Sequence, residues 1–474
     1  MRTRFTGSRV LTILALSLTA FFLMSADGDA QKKEKGLSAA AFAELKAAGV
    51  FNIPNALGDG GYLGAFTPYN SSDVGEGWTQ YDFDPDYDTG NPATGTPQGP
   101  VCISGTPYSV FTKAGDPDKL LIFLQGGGAC WQGLYRCQPV ATDTQIAPGV
   151  VIPGQAPGDG DDFFGEFGVF DSSDPDNPFA DYSIVYMPYC DGSAFGGDND
   201  VDDPNWNGET PGTFPLTGQP RRFHRGVRNL SAGMTVAGDM FPDAKKITVM
   251  GHSAGGVGVA AFAPFQARYI YGNKKIDLTV FNDAGPIAVN LGDPPAPFCS
   301  FDPLDFACLS VLARYADWEF WKFYPESCVA DGRCNGFGQQ TGIIDWRLDN
   351  DSTIREAFYE TDADQTNRGF AQVPFAPDYR ELILTEHGAL NDAYPKRYKR
   401  FIVSGDNTHG GVQGTAGTSG CFPPRPFLFY EQEANGVLLN EWTREFILNG
   451  DGDSQFGWKD IVEDYVEVDC PLQP

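Results

Sequence analysis

The chain has 474 residues, of which 62 are acidic and 33 basic, and its formal net charge at pH 7 is −29. This charge disfavours binding to nucleic acid or to an anionic membrane surface, because like charges repel and no basic run offsets them. We therefore expect no nucleic-acid partner, and the candidate functions must be sought elsewhere.

Residues 1–30 have the composition of a secretory signal peptide. Arg2 and Arg4 precede the apolar run "VLTILALSLTAFFLMSA", and small residues lead to a cleavage site near Ala30. No other stretch reaches the ~18 apolar residues that a membrane span requires. We expect a secreted or periplasmic protein with no membrane span once the signal is removed.

The rest of the chain is predicted to form one large domain. Residues 58–99 are rich in Gly, Pro, Asp and Asn, which indicates irregular surface chain. We therefore assign 31–100 to a largely irregular N-terminal extension and 101–474 to the main domain. An insertion at about 290–340 carries four cysteines and several aromatic residues.

The cysteines indicate disulfide bonds. Their number is even, and export favours complete pairing. Zinc is a weak alternative, because the chain has no C-x-x-C pair and only four histidines. The ten positions are Cys102, Cys130, Cys137, Cys190, Cys299, Cys308, Cys328, Cys334, Cys421 and Cys470. The short spacings suggest three local bridges, namely Cys130/Cys137, Cys299/Cys308 and Cys328/Cys334.

Continuous apolar runs alternate with helical patterns along the main domain. Such alternation predicts an α/β fold with a mostly parallel sheet and helices on both faces. The predicted strands are 119–128, 182–190, 245–251, 277–286, 341–348 and 397–405. The predicted helices are 221–241, 254–272, 379–394 and 433–450, with a further helix from Ser352.

The stretch "VMGHSAGGVG" (249–258) contains a G-x-S-x-G motif around Ser253. In a chain with 57 glycines the motif alone is weak evidence. Here it lies between a predicted strand and a predicted helix, which is the setting of a nucleophile elbow. The alternative is a glycine-lined turn in which Ser253 only caps the helix.

A serine nucleophile requires a base, and His409 is the predicted one. It follows the strand 397–405 in the glycine-bounded loop "GDNTHGG". His252 adjoins Ser253 and is expected to orient the elbow, whereas His224 and His387 are expected to be packing or surface residues.

The orienting acid is expected between nucleophile and base in chain order. The predicted strand 341–348 ends in "DND", at a strand end where α/β sheets build their sites. We predict Asp351, with Asp349 as the alternative. Asp283 also ends a predicted strand, but it comes soon after the elbow and is expected to have a turn or cap role.

A glycine-rich loop could supply the donors of an oxyanion hole. "QGGGAC" (125–130) follows the first strand of the main domain, and the amides of Gly127 and Gly128 could act with that of Ala254. A phosphate-binding loop is disfavoured, because the Lys and Ser/Thr of a P-loop are missing.

No cofactor or metal is predicted. The acidic runs at 158–162, 174–178 and 197–208 could bind calcium, but none has the complete twelve-residue loop pattern. We interpret them as solvated loops, with calcium as the alternative.

Together these motifs resemble the pectin acetylesterase/Notum family of secreted α/β-hydrolases. The resemblance covers about 101–410 and includes "LQGGGACW", "MPYCDGSAFGGD", "FHRGVRNLSAGM", "GHSAGGVG" and "NDAGP". It implies Ser253 as nucleophile, His409 as base, an Asp within 349–351, an oxyanion hole at Gly127, Gly128 and Ala254, and disulfide-bonded cysteines. Ala129 stands where the family usually has an aromatic residue, so the shape of the acyl pocket is left open.

We therefore expect a cofactor-free serine esterase that removes acyl groups, acetyl above all, from a polysaccharide or a similar ester. Two alternatives remain. One is a lipase or protein deacylase with long-acyl specificity, and the other is a non-catalytic extracellular binding protein on the same fold.

Overall fold

The computed structural model covers most of the predicted main domain and part of the extension. It describes residues 36–53, 61–62, 66–75, 77–84, 99–132, 134–137, 168–203, 206, 221–272, 276–285, 316–334, 340–371, 373, 375–412, 428–448 and 457–467. The predicted signal peptide, the acidic run 158–162, and Cys299, Cys308, Cys421 and Cys470 lie outside these residues.

A ten-stranded sheet forms the centre of the described structure. The other described strands form four two-stranded sheets. In chain order, the strands of all these sheets are β1 (Asn52–Ile53), β2 (Gly61–Tyr62), β3 (Asn70–Gly75), β4 (Trp78–Phe83), β5 (Tyr108–Lys113), β6 (Asp116–Leu124), β7 (Gly128–Trp131), β8 (Leu134–Cys137), β9 (Tyr182–Met187), β10 (Asn199–Asp202), β11 (Arg221–His224), β12 (Lys246–His252), β13 (Asp277–Asp283), β14 (Arg355–Thr361), β15 (Tyr398–Val403), β16 (Glu433–Ala434), β17 (Val437–Leu438) and β18 (Ile461–Val462).

The strand order of this sheet is β18-β15-β14-β13-β12-β6-β9-β5-β4-β3. The pairs from β9 through β18 are parallel, and β5, β4 and β3 are added antiparallel at the other end. A mostly parallel sheet of this kind confirms the predicted α/β-hydrolase-like fold.

Helices cover both faces of the sheet, as predicted. They are α1 (Ala39–Ala47), α2 (Gly226–Met240), α3 (Ala254–Ala260), α4 (Ala263–Ile270), α5 (Glu326–Ala330), α6 (Gln340–Asn350), α7 (Gln365–Ala371), α8 (Ala376–Ala393), α9 (Leu428–Glu431) and α10 (Leu439–Leu448). None of those among the described residues is long and apolar enough to cross a membrane.

The apolar run of β6 shows why this strand lies at the centre. Leu120, Ile122 and Leu124 pack into the core on one face, where α2, α3 and α4 lie. Leu121 and Phe123 alternate with them and pack into the second core, under α9 and α10. A strand buried on both faces gains from apolar residues at every position, which accounts for the continuous run.

Two predictions on the carboxyl-terminal side were wrong. Residues 341–348 belong to helix α6 rather than to a strand, and the predicted helix from Ser352 is instead strand β14. Arg347 of α6 forms a buried bidentate ion pair with Glu356 of β14, at 2.7 Å for each bond. This pair places charged residues inside the core. Prediction from the apolar pattern assumes that charged residues face the solvent, and it therefore gave the wrong secondary structure for both elements.

Smaller differences occur elsewhere. The stretch 58–99 was expected to be irregular, but β3 and β4 within it extend the main sheet. The helix predicted over 221–241 begins at Gly226, and the helix predicted over 254–272 divides into α3 and α4. Pro264 stands in the first turn of α4, where a missing N–H is tolerated.

The described cysteines are all disulfide-bonded. Two of the three predicted local bridges are confirmed, Cys130–Cys137 and Cys328–Cys334, and a third bond joins Cys102 to Cys190. The described part of the predicted insertion, 316–334, contains α5, a 3₁₀ turn at Phe320–Phe323 and the Cys328–Cys334 bond.

Candidate active site

Ser253 lies at a sharp turn between β12 and α3. Its backbone has φ 52° and ψ −118°, a conformation that residues with a side chain rarely adopt and that costs about 1–3 kcal/mol. The turn is held by two backbone hydrogen bonds: Ser253 N donates to Asp283 O at 2.8 Å, and Val257 N donates to Ser253 O at 3.0 Å. This is the strand–turn–helix geometry that a nucleophile elbow requires.

The glycines flanking Ser253 are required by close backbone packing. A Cβ on Gly251 would lie 2.3 Å from the carbonyl oxygen of Gly255, and a Cβ on Gly255 would lie 2.0 Å from that of Leu124. A Cβ on Gly126 would lie 2.8 Å from the Cβ of Ser253. The glycine-rich loop after β6 therefore packs directly against the elbow.

His409 is held in place by a buried carboxylate. Its Nδ1 lies 2.6 Å from Oδ2 of Asp364, which is fully buried in the loop after β14. The hydroxyl of Thr361 donates to the carbonyl oxygen of Thr408 at 2.7 Å, which fixes the chain next to the histidine. These contacts set the orientation of the ring.

Burial by itself lowers the pKa of His409, because it disfavours the charged form. The charge of Asp364 and its hydrogen bond to the ring, together with the charge of Asp283, outweigh this effect and raise the pKa above 6.5. The ring is therefore a stronger base than an exposed histidine.

The second ring nitrogen of His409 is available. Nε2 is buried and has no hydrogen-bond partner among the described residues, so Ser253 Oγ does not hydrogen-bond to it in this structure. The ring centroids of His409 and His252 lie 4.9 Å apart, and His252 adjoins Ser253. A nitrogen that can accept a proton thus lies beside the elbow.

Asp283 connects the elbow to the loop of His409. Its Oδ2 lies 3.0 Å from Nδ1 of His252, and its Oδ1 accepts a hydrogen bond from Gly411 N at 2.9 Å. Its own carbonyl oxygen accepts the bond from Ser253 N. A single buried residue therefore fixes the spacing between the two chain segments.

The structure does not place either predicted acid beside His409. Asp351 is buried and paired with Arg268, with Arg268 Nε 2.7 Å from Asp351 Oδ2. Asp349 is exposed and lies 3.5 Å from Arg333. The prediction depended on a strand ending before them, and that segment is helix α6. The carboxylate in contact with His409 is Asp364, which sequence reasoning missed.

A signal for Asp364 was present in the sequence. The segment "ETDAD" (360–364) contains the last two residues of β14 and the three that follow, so the carboxylates in it stand at the carboxyl end of a parallel strand. Recognition of "REAFYET" as a strand would have identified them.

The two other histidines are packed away from the elbow. His224 Nε2 lies 2.7 Å from Arg222, and the ring of His387 stacks on Phe358 at a centroid distance of 3.7 Å. Burial lowers the pKa of each to about 3, helped by the charge of Arg222 for His224 and of Arg400 for His387. Both are neutral structural residues at physiological pH.

The candidate oxyanion donors lie in two elements next to Ser253. Gly127 and Gly128 are half-buried, and Gly128 has φ +82° at the start of the β7–β8 hairpin. The Cys130–Cys137 disulfide crosses that hairpin, and Trp318 Nε1 donates to Cys130 O at 2.7 Å. Ala254 is the first residue of α3, where amides have no partner within the helix.

The arrangement provides a hydroxyl, a base and candidate amide donors, which are the groups that acyl transfer requires. No group of three or more His, Cys, Asp or Glu among the described residues could hold a metal ion.

Comparisons with known proteins agree with the motifs. A family model described as pectinacetylesterase matches residues 93–286, which confirms the predicted resemblance to the pectin acetylesterase/Notum family. The matched segment contains Gly127, Gly128, Ser253 and Ala254, whereas Asp364 and His409 lie beyond it.

One similar solved structure is that of the Wnt deacylase Notum from Drosophila. It has a TM-score of 0.49 and 15% sequence identity, and the alignment covers 79% of this chain and 96% of that chain. The comparison with curated proteins found no match.

Proposed function

We propose that this chain, whose residues 93–286 match the pectinacetylesterase family, is a secreted serine esterase that removes short acyl groups. One observation carries the proposal. A strained serine between close-packed glycines stands beside a buried imidazole whose Nδ1 lies 2.6 Å from Asp364 and whose Nε2 has no hydrogen-bond partner among the described residues.

In the proposed reaction, Ser253 Oγ attacks the ester carbonyl while His409 Nε2 accepts its proton. The imidazolium that forms is stabilised by Asp364, and it returns the proton to the leaving alcohol. Water then attacks the acyl-enzyme by the same route. The Ser253–His409 hydrogen bond is expected to form with substrate bound, since such bonds are often long in free enzymes.

The amides of Gly127, Gly128 and Ala254 are the proposed oxyanion donors. Each well-aimed donor contributes about 3 kcal/mol to transition-state stabilisation in comparable enzymes. The close approach of Gly126 to Ser253 supports this assignment, because a Cβ on the glycine would lie only 2.8 Å from that of Ser253 and the loop therefore lies next to the proposed nucleophile.

Charge argues for a neutral substrate. A chain with a net charge of −29 repels an unesterified polyuronate, and the repulsion weakens as salt screens it. We propose that an acetylated neutral polysaccharide is hydrolysed in preference to acetylated pectin, and that the preference is larger at low salt. The N-terminal "VLTILALSLTAFFLMSA" run and the disulfides support export.

The direct test is labelling with a fluorophosphonate, followed by mapping of the adduct. We expect one adduct, on Ser253, with none in Ser253→Ala, and hydrolysis of p-nitrophenyl acetate that disappears in the same variant. Absence of an adduct in the folded protein would favour a binding module. A series of p-nitrophenyl esters of increasing chain length separates the acetylesterase from a long-acyl deacylase, which would prefer the longer esters.

A further inference from the structure

Glu360 is a buried carboxyl group that the proposed reaction does not use. It is the penultimate residue of β14 and is 0% exposed. Its Oε1 accepts a hydrogen bond from Thr361 N at 3.0 Å, and its Oε2 accepts one from Tyr379 OH at 3.1 Å. Glu356, on the same strand, is instead neutralised by Arg347. A buried carboxylate with neutral donors only is costly unless it carries a proton.

The amide of Asn367 places Glu360 next to the acid that binds His409. Its Nδ2 lies 3.1 Å from Glu360 Oε2, 3.1 Å from Asp364 Oδ2 and 3.0 Å from Ala284 O. An amide nitrogen has two hydrogens, so these three acceptors cannot each receive a hydrogen of their own. Two ionised carboxylates that share one amide nitrogen, both fully buried, would also repel each other strongly.

We propose that Glu360 is a positioning residue that holds a proton at neutral pH and hydrogen-bonds to Asp364, so that a single negative charge faces His409. The inference rests on the proposed function, since it concerns the base of that reaction.

The titration of Glu360 supports this assignment. Burial raises its pKa well above 4.5, and the charge of Asp364 and a hydrogen bond with Asp364 raise it further. The bonds from Thr361 N and Tyr379 act in the opposite direction and do not cancel the increase.

The other charged groups around the pair come from three elements. Asp362, in the loop after β14, is paired with Arg380 of α8 at 2.6 Å. Arg368 of α7 attracts Asp364 electrostatically. Tyr379 of α8 is neutral at neutral pH, because burial above all, and also the charge of Asp364, raise its pKa. His409 contacts Asp364 from the loop after β15, and the charge of Asp283 also acts on its ring.

The proton on Glu360 keeps His409 usable as a base. A second negative charge beside the ring would raise the pKa of His409 further, because it would stabilise the imidazolium. The ring would then remain protonated at neutral pH and could not accept the proton of Ser253. Protonated Glu360 also donates to Asp364, which limits the positions that the carboxylate can take.

The first test uses Glu360→Gln, which is uncharged and close to the protonated acid in shape. We expect kcat/KM at neutral pH within about 3-fold of wild type and an acid limb of the pH profile shifted by less than about 0.3 units. If Glu360 is instead ionised, Glu360→Gln removes an anion near His409, and the midpoint of the acid limb moves down by about 1 pH unit or more. That result would overturn the proposal.

Glu360→Leu tests the positioning role, because leucine, unlike glutamine, has no group that can donate a hydrogen bond to Asp364. We expect kcat to fall about 10-fold or more with KM little changed, while Glu360→Gln restores it. Tyr379→Phe is the matched control, because it removes a hydrogen bond to Glu360 without touching Asp364, and its kcat should be unchanged. Wild-type kcat in Glu360→Leu would contradict the positioning role.

An infrared measurement separates this inference from the proposed function. At neutral pH the wild-type spectrum should contain the C=O band of a protonated carboxylic acid that is missing in Glu360→Gln. The band requires no activity, so it persists even if fluorophosphonate does not label Ser253. A difference spectrum without that band would overturn the assignment of the proton.

Discussion

Nδ1 of His409 lies 2.6 Å from Oδ2 of Asp364, a carboxylate 45 residues earlier in the chain. The contact joins the loops that follow β14 and β15, which are neighbouring parallel strands. Adjacent strand ends therefore bring the carboxylate and the imidazole together, and β12, which precedes the turn at Ser253, lies two strands from β14 in the same sheet.

Replacement of Asp364 should separate its role from that of Asp351. Asp364→Asn should lower kcat by about 10²- to 10⁴-fold, since an amide cannot stabilise the imidazolium. Asp351→Asn should leave kcat of the folded protein near wild type but destabilise the fold by about 3–5 kcal/mol, because Arg268, a buried cation, loses the negative charge of the carboxylate 2.7 Å away. The measurements are steady-state kinetics on p-nitrophenyl acetate and urea unfolding. A large kcat loss in Asp351→Asn with normal activity in Asp364→Asn would reverse the assignment.

The pH dependence should follow the raised pKa of His409. Activity requires the neutral ring, so kcat/KM should fall as the pH drops through a midpoint above 6.5. Since the folded-state pKa exceeds the unfolded value, the stabilisation contributed by His409 is complete below pH 6.5 and is lost as the pH rises through the folded value. Residual activity in Asp364→Asn should titrate at lower pH. A midpoint below 6.5 in wild type would contradict the assignment of the base.

Two glycine substitutions should differ sharply. Gly255→Ala places a Cβ 2.0 Å from the carbonyl oxygen of Leu124, so the elbow must distort and hydrolysis should be lost. The Cβ of Gly369→Ala meets no described residue within 4 Å and lies inside α7, so this substitution should be neutral or stabilise the protein by up to about 1 kcal/mol. Thermal unfolding and kcat/KM check both, and an active Gly255→Ala enzyme would argue against a rigid elbow.

Two disulfides of similar loop length provide a matched pair. The bonds Cys130–Cys137 and Cys328–Cys334 span 7 and 6 residues, so loss of each by double Ala substitution should cost about 2–3 kcal/mol. Only the first crosses the hairpin that starts at Gly128. We therefore expect kcat to fall at least about 10-fold without Cys130–Cys137, through misplacement of one oxyanion donor, and to persist without Cys328–Cys334. Equal kcat in the two variants would contradict a role of the hairpin in the oxyanion hole.

The sequence by itself determined the elements whose signals are local. The continuous apolar run of β6 marks a strand buried on both faces, and the glycines at 251 and 255 mark a turn in which no Cβ fits. The strand–turn–helix context of the G-x-S-x-G motif predicted Ser253, and the glycine-bounded loop after a late strand predicted His409; the family resemblance implied the same two residues. The close spacing of Cys130 to Cys137 and of Cys328 to Cys334 predicted their bonds.

Only the tertiary structure showed which carboxylate contacts His409. Arg347 and Glu356 are charged residues that lie inside the core because they neutralise each other. The pattern of apolar and polar residues along the sequence instead predicts a surface position for each of them. Because 341–348 was predicted to be a strand, Asp351 was expected at a strand end. In the structure it follows helix α6 and binds Arg268. The contact of Asp364 with His409 depends on which strands are neighbours in the sheet, and so does the position of Glu360 near Asp364. That order is set by packing between segments far apart in the chain, which no local pattern encodes.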